Sequence, residues 1–175
     1  MASVIPFLYL CTMSETSSYH HIFARNCSVR RIARPVAQDF LDRYHPLKYT
    51  NCRYKYGIYI SRQGHEDLPE GTLVAVATFA GPRKWDKEGK LIRSYEWVRY
   101  FTLPGTRVAG GMGKVLQTFI EEVAPDDIMT YVDADLSDGE SYKLLGFEED
   151  GEKVFTNGRR SLKLRLKRTQ YDSSL

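Results

Sequence analysis

The stretch Leu103-Pro104-Gly105-Thr106-Arg107-Val108-Ala109-Gly110-Gly111-Met112-Gly113 constrains this chain more than any other. Before it, residues 95–103 are mostly aromatic and β-branched, the composition of a strand, and Pro104-Gly105 stops that strand. After it, Val115, Leu116, Phe119, Ile120 and Val123 fall on one face at helical spacing, and Pro125 ends the helix they define. A strand that runs through a glycine-rich turn into an amphipathic helix belongs to a layered α/β domain.

The flanking pattern agrees. Residues 27–33 alternate as a strand, Pro35 suits the first turn of a short helix ending near Tyr44, and His45-Pro46 stops it. Residues 54–61 and 72–79 read as strands of an antiparallel hairpin joined by the polar loop 62–71, and a second polar loop, 81–93, leads to the strand at 95–103. Beyond the central helix come a short buried strand at 128–132, a short helix at 138–145 capped by Gly146, and two strands around Asn157-Gly158, a favoured two-residue hairpin turn. Leu162, Leu164 and Leu166 alternate with charged residues, as a half-buried strand requires. The order β, α, β, β, β, α, β, α, β, β predicts one α/β domain with a mixed, mostly antiparallel twisted sheet of six to seven strands flanked by helices. No internal repeat, low-complexity segment or heptad series interrupts it.

At 175 residues and 42% hydrophobic content there is material for one sizeable core and not for two ordinary domains. The expected domain is 27–168, preceded by a loosely ordered extension, 1–26, and followed by a disordered tail, 169–175. Cys11, Cys27 and Cys52 show no C-x-x-C spacing, so neither a zinc site nor a redox pair is expected, and a reducing cytosol fits. The apolar run 4–11 is too short to span a bilayer and has no basic residue before it. Leu10 before Cys11 argues against lipoprotein processing, and Met13 offers an alternative start. These features predict a cytoplasmic protein without membrane contact.

A net charge of +3, from 25 basic and 22 acidic side chains, is too small to mark a nucleic-acid binder by itself. Three local clusters are candidates: Arg30, Arg31 and Arg34; the basic-aromatic Arg83-Lys84-Trp85; and the last hairpin with Arg159, Arg160, Lys163, Arg165, Lys167 and Arg168. Charged outer faces of strands are common without any partner.

Over residues 29–166 the element order resembles the GNAT (Gcn5-related N-acetyltransferase-like) superfamily. The glycine-rich stretch is similar to that family's strand, Pro, Q/R-x-x-G-x-G/A loop and helix, with one difference. Pairing Arg107 with Gly110 puts Met112 where Gly or Ala is usual, whereas aligning Gly111-Met112-Gly113 moves Val108 into the Q/R position, and one extra residue in the turn accounts for both. The resemblance implies acetyl-coenzyme A or another acyl-coenzyme A as cofactor. Its pyrophosphate would be held by Arg107, Gly110, Gly111, Gly113 and Lys114, and its pantetheine would pair with main chain near Leu103. Glycines at a helix start let backbone approach a pyrophosphate, whose charge suits the unpaired amides and the positive helix end. Asp138-Gly139-Glu140-Ser141-Tyr142-Lys143-Leu144-Leu145-Gly146-Phe147 resembles the family's final helix, which implies that Tyr142 protonates the departing thiolate. Glu96 lies on the strand where several members place a general base. The implied reaction is acyl transfer to an amine by direct attack.

A narrower resemblance is to phage and prophage Mom-like DNA-modification proteins. It rests on Tyr95-Glu96-Trp97-Val98-Arg99-Tyr100, Arg107-Val108-Ala109-Gly110-Gly111, Asp126-Asp127-Ile128-Met129-Thr130-Tyr131 and Ser137-Asp138-Gly139. It implies that His45, Arg99 and Asp133 or Asp138 face a nucleobase. A third alternative is a non-catalytic GNAT-like module whose basic hairpin contacts nucleic acid. Against these roles, His45 beside Pro46 suits a helix end, Glu96 suits a solvated strand, and Asp138 suits a helix cap.

Overall fold

The computed structural model describes residues 20–135 and 137–168. Expectations that fall on 1–19 and 169–175, the Met13 start and Cys11 among them, lie outside the described residues. Strand β1 (His20–Phe23) leads through a 3-10 turn (Ala24–Asn26) to β2 (Cys27–Arg31), helix α1 (Arg34–Tyr44), and strands β3 (Tyr54–Ile60) and β4 (Leu73–Phe79). A hairpin of β5 (Arg83–Lys87) and the long β6 (Lys90–Thr102) precedes β7 (Thr106–Ala109) and helix α2 (Gly111–Val123). The last described elements are β8 (Asp127–Asp133), the single-turn α3 (Glu140–Lys143), β9 (Glu148–Val154) and β10 (Arg160–Lys167).

The main sheet has the order β2-β3-β4-β6-β8-β10-β9, with β5 paired to β6 as its eighth strand. Every pairing in it is antiparallel except β6 with β8. One face carries α2, whose Phe119 stacks on Phe79 at 4.0 Å between ring centroids, with Trp97 stacked beyond at 5.1 Å. The other face carries α1, whose Ala37, Phe40 and Leu41 pack on Val76. Period-2 alternation along β4 sends Val76 one way and Ala77 and Phe79 the other, so one strand feeds both layers.

The structure departs from the sequence expectation in four places. Residues 81–93 are a hairpin rather than a loop. Glu88 (φ 53°) and Gly89 (φ 81°) make its two-residue turn, which needs two positive φ angles, and an exposed ribbon of polar residues offers no hydrophobic period to read. The hairpin brings the main sheet to eight strands. Residues 20–26, placed in the loose extension, form β1 and the 3-10 turn, and β1 pairs in parallel with β7 inside the glycine-rich stretch, from His20↔Thr106 to Phe23↔Ala109. The helix expected at 138–145 is α3 alone, because the chain continues in i→i+3 bonds, Leu145 N–H to Tyr142 and Gly146 N–H to Lys143. The turn at Asn157-Gly158 has three residues rather than two: Phe155 N–H donates to the Arg159 carbonyl, and Gly158 (φ 79°) donates to that of Phe155.

Candidate active site

β6 and β8 pair only over Ser94↔Asp127, Tyr95↔Ile128 and Glu96↔Met129. Beyond that point β6 follows β4 and β8 follows β10, so the two strands part and open the middle of the sheet. At the point of parting, the Thr130 hydroxyl donates to the Trp97 carbonyl at 2.9 Å.

On β6 the partners Thr78↔Arg99 and Phe79↔Trp97 leave Val98 unmatched, a β-bulge. Strict alternation would send Arg99 to the same face as Trp97. The extra residue instead sends Arg99 to the face of Glu96, where its Nε donates to the Lys48 carbonyl at 3.1 Å. This reversal is invisible to a period-2 reading of the sequence.

Two clefts flank the opening. The first, about 370 Å³, lies between the end of β6, the β7–α2 turn and α3, and Arg107, Gly110, Gly111, Met112, Gly113 and Tyr100 contribute to its walls. Gly110 occupies the left-handed region (φ 78°) as the residue before α2, and no side chain caps that helix. The first helical bond is Lys114 N–H to the Gly110 carbonyl at 3.0 Å, which leaves the amides of Gly111, Met112 and Gly113 without a partner inside the helix. A Cβ on Gly111 would lie 2.7 Å from the Tyr100 hydroxyl, so the turn is closed tightly onto β6. Met112 packs against the core cluster, so the site keeps its amide while the side chain serves packing.

The turn's residues fit an anionic group such as a pyrophosphate: backbone donors, an uncapped helix start and the exposed Arg107 converge on one cleft. Two expected contributors are placed elsewhere. Lys114 does not line the cleft; its ammonium donates to the carbonyls of Ala24 at 2.9 Å and Cys27 at 2.5 Å and ties the turn to the segment after β1. Leu103 has both main-chain groups engaged, its N–H with Val74 at 2.8 Å and its carbonyl with Thr106 at 3.1 Å. Antiparallel alternation from that bond points the main chain of Tyr100 and Thr102 to the open edge of β6, and both line the cleft.

The second cleft, about 430 Å³, is lined by Glu96, Arg99, Asp133, Arg159, Lys153 and Tyr131, among others. Tyr131 and Asp133 alternate on β8 with Thr130 and Val132, which pack toward the α2 side, so they share the face of Glu96 and Arg99. Asp133 pairs with Arg159, which holds its carboxyl below the usual range. Lys153 sits over the Tyr131 ring at 5.3 Å and the Phe155 ring at 4.8 Å.

Tyr142 lies between the clefts and lines neither. Its ring meets Trp97 edge-on at 5.2 Å and Phe147 at 5.5 Å, and its hydroxyl lies against that of Thr130. Burial pushes its pKa up to about 12. His45 and Asp138 line neither cleft. His45 closes α1, accepts the Leu47 N–H at 3.0 Å and packs against Phe101; burial, then the nearby Arg99 charge, lower its pKa to about 4. Asp138 accepts the Glu140 N–H at 3.1 Å at the start of α3, a local capping role.

Several side chains of the basic clusters are engaged within the chain. In the last hairpin Arg160 pairs with Glu152, Lys163 with Asp150, and Arg165 with Asp127 and Asp150. Arg31 pairs with Glu122, Arg30 lies 3.8 Å over the Tyr59 ring, and the Trp85 indole donates to Ser94. Cys27 and Cys52 are buried free thiols. No helix among the described residues is long and apolar enough to cross a membrane.

A mixed sheet parted between its central strands, with a glycine turn opening a helix at the end of one of them, is the fold of the GNAT acetyltransferases. A protein from Corynebacterium glutamicum described as a histone acetyltransferase HPA2 and related acetyltransferase is 13% identical, with a TM-score of 0.55 over 85% of this chain and 99% of that one. FeeM, an N-acyl amino acid synthase from uncultured soil microbes, is 12% identical, with a TM-score of 0.51 over 81% and 91%. The aminoglycoside acetyltransferase AAC(6')-Ib in complex with coenzyme A is 13% identical, with a TM-score of 0.50 over 81% and 95%. No family model and no curated protein matches the sequence. The likeness is therefore one of fold; the narrower resemblance to Mom-like proteins receives no support from it.

Proposed function

We propose that this protein is an N-acyltransferase that takes an acyl group from acyl-coenzyme A and passes it to an amine. The observation that carries the reading is the pairing of an uncapped glycine-turn cleft on one side of the parted strands with a second cleft, holding Glu96, on the other. Arg107 and the amides of Gly111, Met112 and Gly113 would hold the pyrophosphate, with Tyr100 and Thr102 offering main chain to the pantetheine arm. Bound acyl-coenzyme A would supply the acyl group activated as a thioester.

Glu96, on the wall of the second cleft, would accept the proton of an ammonium there, freeing the nitrogen lone pair for attack. Tyr142, whose hydroxyl lies against that of Thr130 where the strands part, keeps its proton at neutral pH and would donate to a departing sulfur. One C–N bond replaces one C–S bond. The acceptor nitrogen gives up two protons, one of which ends on sulfur and the other in solvent. Calorimetric titration with acetyl-coenzyme A tests the reading: one saturable site is expected, and folded protein that binds none up to millimolar concentration refutes it.

A further inference from the structure

The bulge at Val98 places a carboxylate, Glu96, and a guanidinium, Arg99, on one face of one strand. They are near enough for each charge to be felt by the other, yet neither has an ion-pair partner among the described residues. Arg99 is half-buried, with Nε and one terminal nitrogen held by the carbonyls of Lys48 and Val98, so its charge is fixed in place rather than free to follow solvent. A fixed cation and a neighbouring carboxylate, neither paired with the other, are the complement of a zwitterion.

The rest of the cleft agrees in sign. Asp133 and Arg159 cancel as a pair, while Arg83 and Lys153, both on the wall, have no carboxylate partner among the described residues. The lining thus carries more positive than negative charge, which disfavours a polycationic amine and favours one that brings an anion. Leu47, Trp97, Val98, Tyr131 and Phe155 also line the cleft and give its wall apolar surface for a side chain, with the Lys153 ammonium over the Tyr131 and Phe155 rings.

We infer that the acceptor is a free amino acid with an apolar or aromatic side chain, its ammonium on Glu96 and its carboxylate on Arg99. A cleft of about 430 Å³ holds a molecule of that size. This inference rests on the transferase reading for the reaction, and on the cleft alone for the binding.

The test is calorimetric titration of the wild-type protein, with and without saturating coenzyme A, using L-phenylalanine and L-phenylalaninamide, which keeps the amine and lacks the carboxylate. Phenylalanine is expected to bind at least tenfold tighter, the effect of one charge-assisted contact. Arg99→Gln should erase that preference, weakening phenylalanine and leaving the amide unchanged. Equal or tighter binding of the amide, binding of O-phosphoethanolamine in place of phenylalanine, or no binding of phenylalanine at millimolar concentration each overturns the inference. Failure of coenzyme A to bind while the amino acid still does would instead remove the transferase reading and leave the cleft assignment standing. Thiol release with amides as fast as with amino acids would do the reverse.

Discussion

A hydroxyl whose pKa is pushed up to about 12 is a reluctant acid. Against a thiol of ordinary pKa, about 8.5, full proton transfer from Tyr142 would run uphill by roughly 5 kcal/mol. Tyr142 therefore serves the departing sulfur best as a hydrogen-bond donor that shares its proton in the transition state. A hydrogen bond to a charged partner contributes about 1.5–3 kcal/mol, so Tyr142→Phe should slow thiol release by roughly ten- to a hundredfold with coenzyme affinity unchanged. Unaltered turnover in a stable Tyr142→Phe protein would reduce Tyr142 to the aromatic wedge between Trp97 and Phe147. His45 gives a residue-scale prediction of another kind. Its folded pKa, about 4, lies below the unfolded value near 6.5, so the unfolded chain binds its proton first. Stability from this group is complete above pH 6.5 and is lost as the pH falls toward 4. Because the ring is only half-buried, solvent screening limits the loss to about 1–2 kcal/mol. Urea midpoints measured from pH 7 to 4 should fall more steeply for wild type than for His45→Gln; parallel curves would show that the ring is not kept neutral by the fold.

At the scale of elements, α2 and β6 are joined where Gly111 meets Tyr100. A methyl group at Gly111 would lie 2.7 Å from the Tyr100 hydroxyl and 2.9 Å from Val108 Cγ1. Overpacking of that kind costs about 1–3 kcal/mol, more than the helix propensity that alanine returns. At Gly113 the same methyl group meets only Leu145, at 3.5 Å, an ordinary contact. Thermal denaturation should therefore rank Gly111→Ala below wild type and Gly113→Ala level with it or slightly above. The reverse order would mean that the turn is not closed on β6 as described. The same elements show what a sequence pattern can and cannot carry. The amphipathic period of α2, the alternation of Leu162, Leu164 and Leu166, and the strand that enters the glycine turn are local signals, and the structure contains all three. The bulge at Val98 is not local: it is defined by which residues of β4 lie opposite, and it decides the side on which Arg99 appears. That the Lys114 ammonium and the Leu103 main chain are engaged within the fold was not legible for a related reason, since their partners, Ala24, Cys27 and Val74, lie in distant parts of the chain. Tyr131 and Lys153 gave no signal at all, because a cleft residue on a strand looks like any other exposed position.

For the whole molecule, the sheet works as a partition that opens between β6 and β8. The glycine-turn cleft lies on the α2 side, the charged cleft on the side that α1 leaves uncovered, and the strands part between them. In the proposed reaction, two molecules held on opposite faces would meet at that gap, beside Glu96, Trp97, Val98, Thr130 and Tyr142. The aromatic core reaches the gap: Phe119, Phe79, Trp97 and Tyr142 form a continuous series of ring contacts from α2 to α3. Phe119→Ala, at the end of that series, should cost about 3–5 kcal/mol, read as a shifted denaturant midpoint. A much smaller loss would mean that α2 is not anchored to the sheet through this ring.

The pairing of β1 with β7 has a consequence for timing. His20 lies beside Thr106, and the Lys114 ammonium reaches back to Ala24 and Cys27, so the glycine turn is braced by chain made some eighty to ninety residues earlier. Contacts of that sequence separation form late, after the loop between them has closed. The turn should therefore take its final shape near the end of folding and open among the first parts of the native protein to do so. A nucleotide seated on the turn would hold that brace shut from a distance. Amide hydrogen exchange at residues 20–23, which line neither cleft, should slow when coenzyme A is added, and the protection should follow the same saturation curve as the ligand.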